Sequence, residues 1–556
     1  MRKFMNIFAA ALVVLAAVSC EKNEVLPDST EGKVVTLSAT IDNGGTKTSL
    51  DGWDDVNREY PVLWSKGDKI AVIQDDVNCD NNQSVYTFTL STGDNTTSAT
   101  FTCDEAGDFD PNYEYRAVYP ASAVVVGSDG KFEKYSFSDT QIYAPNSFGV
   151  DAMPMETNMC KGANYVLKFT KNVFGVLKLQ LKSAADEKVT SIVITSSNAL
   201  NGEAQLVDGA IVLRGEAAEN KKVTLDCSTN GGVTLNQDKS TDFHIALPAG
   251  ATGLKVLINT NKGSYYKEVP RQDASSNPIN AITAGNILKM PELNTKNMAP
   301  AYIENGVYLG DGVAIPLEKD SEGNPTKYLI WAPVNCGYDA VKFKYGKLYQ
   351  WGRKDGQGYW ESETSTNNDL GGGPEIKNGP ISEDGPITWE NYVAGNYSNA
   401  FFKVADGNPG DWVSPQNPDL WGNGTKTVYD PCPDGWRVPT NDELIGLTKN
   451  FKYSGNGYWC SGSNTSDVSY PRILLQYNMG YHEYNADNGT KRNDTRAYYW
   501  SSTTDGANSK CVLIARDLYY PFDEMFVGKY SRSRANAYTV RCVKDMPQSQ
   551  PMPGSN

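Results

Sequence analysis

The 556-residue chain is nearly empty of histidine, with only His244 and His482, far apart in sequence. It has no Cys-x-x-Cys pair. Those two lacks leave no basis for an imidazole- or thiolate-built zinc site, or for a Ser/His or Cys/His catalytic arrangement. Basic residues are in deficit: 51 Lys and Arg stand against 66 Asp and Glu, for a net charge of -15. With no basic patch to meet phosphates, nucleic acid is not expected as a partner. Beyond the first twenty residues no apolar run approaches the about 20 residues that a spanning helix needs. No catalytic residue, metal or cofactor is therefore expected. Asp76-Val-Asn78-Cys-Asp80 imitates the start of a calcium loop, but Asn81 and Thr87 stand where the loop needs Gly and Glu, so we read a polar hairpin tip.

What is present begins with Arg2 and Lys3 ahead of the apolar run Ile7 to Val18. A positive start followed by a short apolar stretch fits a secretory signal peptide. The run closes on Ala17-Val18-Ser19-Cys20, which resembles a bacterial lipobox. That resemblance implies lipidation of Cys20, export, and a precursor held in a membrane by the lipid. Residues 21–33 read as a polar tether. The remaining chain of about 535 residues exceeds what one core holds, so several domains are expected. Thr, Val and Tyr in short alternating runs, with plentiful Gly and Pro, make the expected fold mainly β. Eleven Trp and 32 Tyr raise the expectation of sugar or protein recognition. Ten Cys in an exported chain predict disulfides, and removing Cys20 leaves an odd number.

Residues 34–162 read as a first β-domain, opened by Val35, Leu37, Ala39 and Ile41 alternating with polar neighbours. Thr46-Lys47-Thr48-Ser49-Leu50, then Trp64, Gly67-Asp68 and Ile70, resemble the N-terminal domain of Bacteroidetes fimbrillin-like proteins, the subunits of type V pili. Residues 163–293 read as a second β-domain of seven or so strands, its first at Val166 to Phe169. Within it, Phe243 to Gly250 resembles a strand and Pro-Gly turn of the fimbrillin C-terminal domain. The resemblance implies two transthyretin-like β-sandwiches.

After a polar linker at 294–301 the character changes. Tyr345 to Gly352, Asp430-Pro-Cys-Pro-Asp-Gly-Trp-Arg-Val-Pro-Thr-Asn-Asp-Glu-Leu444, Tyr499-Trp500-Ser501-Ser502-Thr503 and Ala537 to Asp545 follow in order. The set is similar to the Fibrobacter succinogenes major paralogous domain, which implies an α+β, C-type-lectin-like domain over 302–545. Thr440 is placed to cap a short helix from Asn441, with Glu443 completing a capping box. The resemblance pairs Cys432 with Cys542; Cys460 with Cys511 is a plausible second bridge, and Cys336 could be the odd thiol. The calcium-binding triplets of sugar-binding lectins are absent. Trp459, Tyr499, Trp500, Tyr519 and Tyr520 fall where lectin-like folds carry ligand loops, and are the candidate binding residues. Residues 546–556, with three prolines, read as an unfolded tail.

Fimbrillin-like subunits are cut after a basic residue beyond strand one, and another subunit's strand fills the vacated groove. Lys47 and Arg58 are the two candidate cleavage points. The last strand, ending near Cys542, is a poor donor, which suits a pilus tip. The expectation is thus a tip adhesin whose partners are other pilus subunits, through a donor strand, and a host or bacterial surface glycan or protein. The alternatives are a lipid-anchored receptor that never polymerises and, more remotely, an enzyme on a formylglycine-generating-enzyme-like fold.

Overall fold

A computed structural model describes residues 34–545 apart from 42–48, 51–61, 76–82, 105, 163–164, 184–185, 208–209, 270–280, 342, 344, 357–380, 399, 406–409, 450, 455–456, 462–471, 476–495 and 517–524. The chain is mainly β, and no described helix is long and apolar enough to cross a membrane.

The first unit is a closed barrel rather than the expected two-sheet sandwich. Around the ring, Val35–Ile41 lies between Ser98–Cys103 and Val166–Asn172; the ring continues through Met155–Thr157, Tyr115–Tyr119, Lys69–Asp75 and Gln83–Thr92. The strand at 166–172 therefore belongs to the first unit, and the boundary placed after residue 162 is too early. Only Val173 separates this strand from Phe174–Lys182, the central strand of the next unit. The backbone stays extended across the crossing, so alternation of apolar residues carries no mark of it.

The second unit has two facing sheets. One runs in the order Thr140–Ile142, Lys222–Asp226, Lys188–Thr195, Lys255–Thr260, Gly263–Glu268; the other sets Phe174–Lys182 between Thr241–Pro248 and Ile287–Lys289. Leu177, Leu179 and Leu181 meet Ile192, Ile194, Val256 and Ile258 in the core between them. The opposite face of Phe174–Lys182 is also covered. Phe174 and Val176 pack with Tyr135, Phe137 and Ala204 from a third small sheet, and with Ala71, Ile73 and Val118 of the barrel. The first two units thus share one apolar layer.

The stretch at 294–301 is no free linker. Thr295 is fully buried and its Oγ1 donates to Glu187 Oε2 at 2.7 Å; Leu293–Asn294 pairs with 181–182, and Pro300 bridges to Tyr265. A few residues on, Tyr308 stacks on Tyr266 at 3.7 Å between ring centroids. In the third unit the first long strand, Val313–Lys319, and the last, Val543–Asp545, flank Pro325–Trp331. Both ends of the unit therefore sit at its base, where Lys544 Nζ donates to the Lys262 carbonyl at 2.6 Å. The helix Asn441–Thr448 carries both halves of the capping box, with Thr440 Oγ1 accepting from Glu443 N and Glu443 Oε2 accepting from Thr440 N. It runs on through Gly446 because Leu317 lies against that position, where a Cβ would come 2.5 Å from its Cδ1.

Candidate strand-exchange slot and the head domain

The Val35–Ile41 strand closes the barrel by bonding along both edges. It is antiparallel to Ser98–Cys103, with Leu37 opposite Phe101 and Ala39 opposite Ala99. It is parallel to Val166–Asn172, with Ala39 beside Leu167 and Ile41 beside Phe169. Leu37, Ala39 and Ile41 point into the core, whereas Thr36 and Ser38 are exposed, as the sequence alternation requires. The floor is aromatic: Trp64 meets Phe101, Tyr119 and Phe169 edge-on at 5.0, 5.7 and 5.3 Å. Asp68 is buried and holds this corner, its carboxylate accepting from Ser65 N at 2.7 Å and from the Tyr119 hydroxyl at 3.1 Å. Taken out, the strand would bare two rows of backbone donors and acceptors and a slot with space for one large, one small and one large side chain.

The sequence-derived sites fare unevenly. Cys20, Lys47, Arg58, Tyr519, Tyr520, the Asp76–Asp80 stretch and the tail 546–556 lie outside the described residues, as do the side chains of Trp459 and Cys460. Tyr499 and Trp500 are not ligand-facing: they are 1% and 0% exposed, and Trp500 Nε1 donates to the Tyr349 carbonyl at 2.9 Å. Their strand, Arg496–Asp505, is covered on both faces, with Tyr498 and Trp500 in one core and Ala497 and Tyr499 in another. His244 is a buried strand residue opposite Lys178.

Cys432 and Cys542 form a disulfide across 110 residues of chain. The Cys460–Cys511 bridge is not made, because Cys511 is a free thiol in a strand buried on both sides, and burial pushes its pKa up to about 12. Among the described residues Cys103, Cys160, Cys227 and Cys336 are also free and buried. Cys336 is set apart by its surroundings. Its sulfur and those of Cys432 and Cys542 lie within 4.8 Å of one another. The Tyr349 hydroxyl donates to its Sγ at 3.2 Å, the Pro431 carbonyl accepts from it at 3.2 Å, and Glu304 Oε1 lies at 3.8 Å. Burial holds the Glu304 carboxyl above its ordinary value against the opposing bond from Gly337 N, and burial likewise raises the Cys336 thiol well above its own. Nothing in the sequence pattern singled out Glu304 or Tyr302, and Tyr349 stood out only as part of the Tyr345 to Gly352 motif; all three come from loci far from Cys432 and Cys542.

These features define a mainly β protein with a strand-filled barrel, a shared middle layer and a disulfide-closed head. No family model and no curated protein matches the chain. Among solved structures it is similar to a proposed cell adhesion protein from Bacteroides ovatus, at 14% identity over 50% of this chain and 98% of that one, with a TM-score of 0.29. It is also similar to the tip fimbrial protein Mfa3 from Porphyromonas gingivalis, at 11% identity over 47% and 96%, TM-score 0.21. The shaft pilin SpaA from Lactobacillus rhamnosus GG is similar at 13% identity over 49% and 98%, TM-score 0.17.

Proposed function

We propose that the chain is a cell-surface pilus subunit, placed at the tip, that accepts a donor strand in the slot now filled by Val35–Ile41 and binds a glycan or protein ligand with its head. The carrying observation is that this one seven-residue strand closes the barrel and is followed within twenty residues by Lys47 and Arg58. Cutting at Lys47 would leave the strand joined to the rest of the protein by the slot alone, and cutting at Arg58 by the slot and the short Ser49–Leu50 pairing with Val62–Leu63. The acceptor face then favours a donor with large, small and large apolar side chains at alternate positions, the pattern of Leu37, Ala39 and Ile41, with Ala39 between Ala99 and Leu167 at the middle of the slot. The tip placement is supported by the last described strand, which pairs with Pro325–Trp331 beside the bridged Cys542 and so is not itself available for donation. The lipid on Cys20 would hold the precursor at the outer membrane until cleavage.

Mass spectrometry of the N-terminus of the protein on the native cell surface tests this. A start at Thr48 or Glu59 is the expected result. A lipid-bearing Cys20 as the only N-terminus would leave the anchored, non-polymerising receptor as the account.

A further inference from the structure

We propose that Cys336, Glu304 and the Cys432–Cys542 bridge form an internal thiol–disulfide exchange site that can move the bridge from Cys432–Cys542 to Cys336–Cys542. The sulfurs are within 4.8 Å of one another, and the thiol has a carboxylate acceptor at 3.8 Å. Exchange runs through a thiolate that attacks one disulfide sulfur while the other leaves with the bond's electron pair.

Each part of that step has a group in place. Glu304 takes the proton from Cys336, and its buried, raised carboxyl is a better base than a solvated one. The new sulfur–sulfur bond forms between Cys336 and Cys542, the Cys432–Cys542 bond breaks, and Cys432 departs as a thiolate that the proton later neutralises. One disulfide and one thiol enter and one of each remains, so no outside oxidant or reductant is needed.

The direction of exchange follows from the neighbours. Residue 336 is already fixed beside the last strand, through Cys336 N to the Val540 carbonyl and Ala332 N to the Cys542 carbonyl, both at 2.9 Å. Cys432 is the better leaving group. The Lys426 ammonium lies against its backbone, 2.5 Å from the Cys432 carbonyl, and a nearby cation favours a departing thiolate. Asp430, which faces the same point and pairs with Lys426 at 3.5 Å, tempers that charge. At Cys542 the sulfur meets the Tyr302 hydroxyl at 3.5 Å and the carbonyl accepts from Ala332 N, both neutral groups. Tyr302, Tyr349 and Asp430 also face Cys336, and Tyr302 and Lys347 face Glu304. Exchange would remove the covalent tie between the 430–438 loop and the last strand, leaving the two backbone bonds between Arg437 and Val543 to hold them together.

The test uses the purified full chain held at pH 8.5 without added thiol or oxidant, then quenched in acid, alkylated with iodoacetamide under denaturing conditions and mapped as non-reduced peptides. Peptides joined through Cys336 and Cys542, with alkylated Cys432, are expected to accumulate. Exchange should slow about tenfold or more in E304Q, as for loss of a general base. K426M, at a partly exposed position, should also slow it and covers the case in which E304Q does not fold. Cys432–Cys542 as the sole linkage at all times would overturn the proposal. So would random linkage to Cys103, Cys160, Cys227 or Cys511, or parental rates in the folded variants.

Discussion

At the scale of single residues, Glu443 shows how one side chain serves two structures. It closes the capping box and receives two hydrogen bonds from Arg437, at 2.9 and 2.7 Å. Burial opposes its ionisation, but the Arg437 bonds and charge outweigh burial and hold the carboxyl below its ordinary value. A carboxyl with a depressed folded pKa adds stability above its unfolded value, near 4.3, and that stability is lost as pH falls through the folded value. Urea midpoints measured from pH 7 down to pH 3 should therefore fall more steeply in the parent than in E443Q. At pH 7 the variant should be weaker by about 2 kcal/mol, the scale of hydrogen bonds to a charged group. Equal slopes would remove Glu443 from the acid response of the head.

Among elements, the Val35–Ile41 strand is the most consequential. A chain begun at Glu59 should lose about 5 kcal/mol, from the burial of two large aliphatic side chains and the lost ladder. Adding a peptide with the Val35–Ile41 sequence should restore the thermal midpoint, and the same peptide with Phe in place of Ala39 should not. If both peptides restore it equally, the slot does not select by side-chain size. This strand was legible in the sequence because one face is wet: Leu37, Ala39 and Ile41 alternate with Thr36 and Ser38. The capping box at Thr440 was legible because its two members are three residues apart. Arg496–Asp505 and Asn508–Arg516 were not, since the runs Ala497 to Trp500 and Cys511 to Ala515 are covered on both faces and show no alternation. That is why the sequence points to Tyr499 as a binding residue and to Cys511 as half of a bridge, and the structure to neither. The crossing at Val173 was hidden for a different reason, the absence of any turn between barrel and sandwich.

Across the whole molecule, the units are joined more closely than composition suggests. The barrel and sandwich share a layer, and the head is fixed to the sandwich by Thr295, the Tyr266–Tyr308 stack and Lys544. The one disulfide of the described residues closes 110 residues of the head. Replacing Cys432 by Ser should cost the head about 4–5 kcal/mol on the chain-entropy scale for a loop of that size. The barrel should hold its own unfolding midpoint, and calorimetry would separate the two; loss of both together would show one cooperative block. The Cys432–Cys542 bridge also bears on what happens when such a head is pulled. Under tension applied across the bridge, from before Cys432 to beyond Cys542, the enclosed loop cannot pay out its contour, which would otherwise add roughly 360–400 Å at full extension. Because both ends of the head meet at its base, the load then passes through a short path beside Pro325–Trp331. The bridge thus withholds those 110 residues from the extensible length of the head.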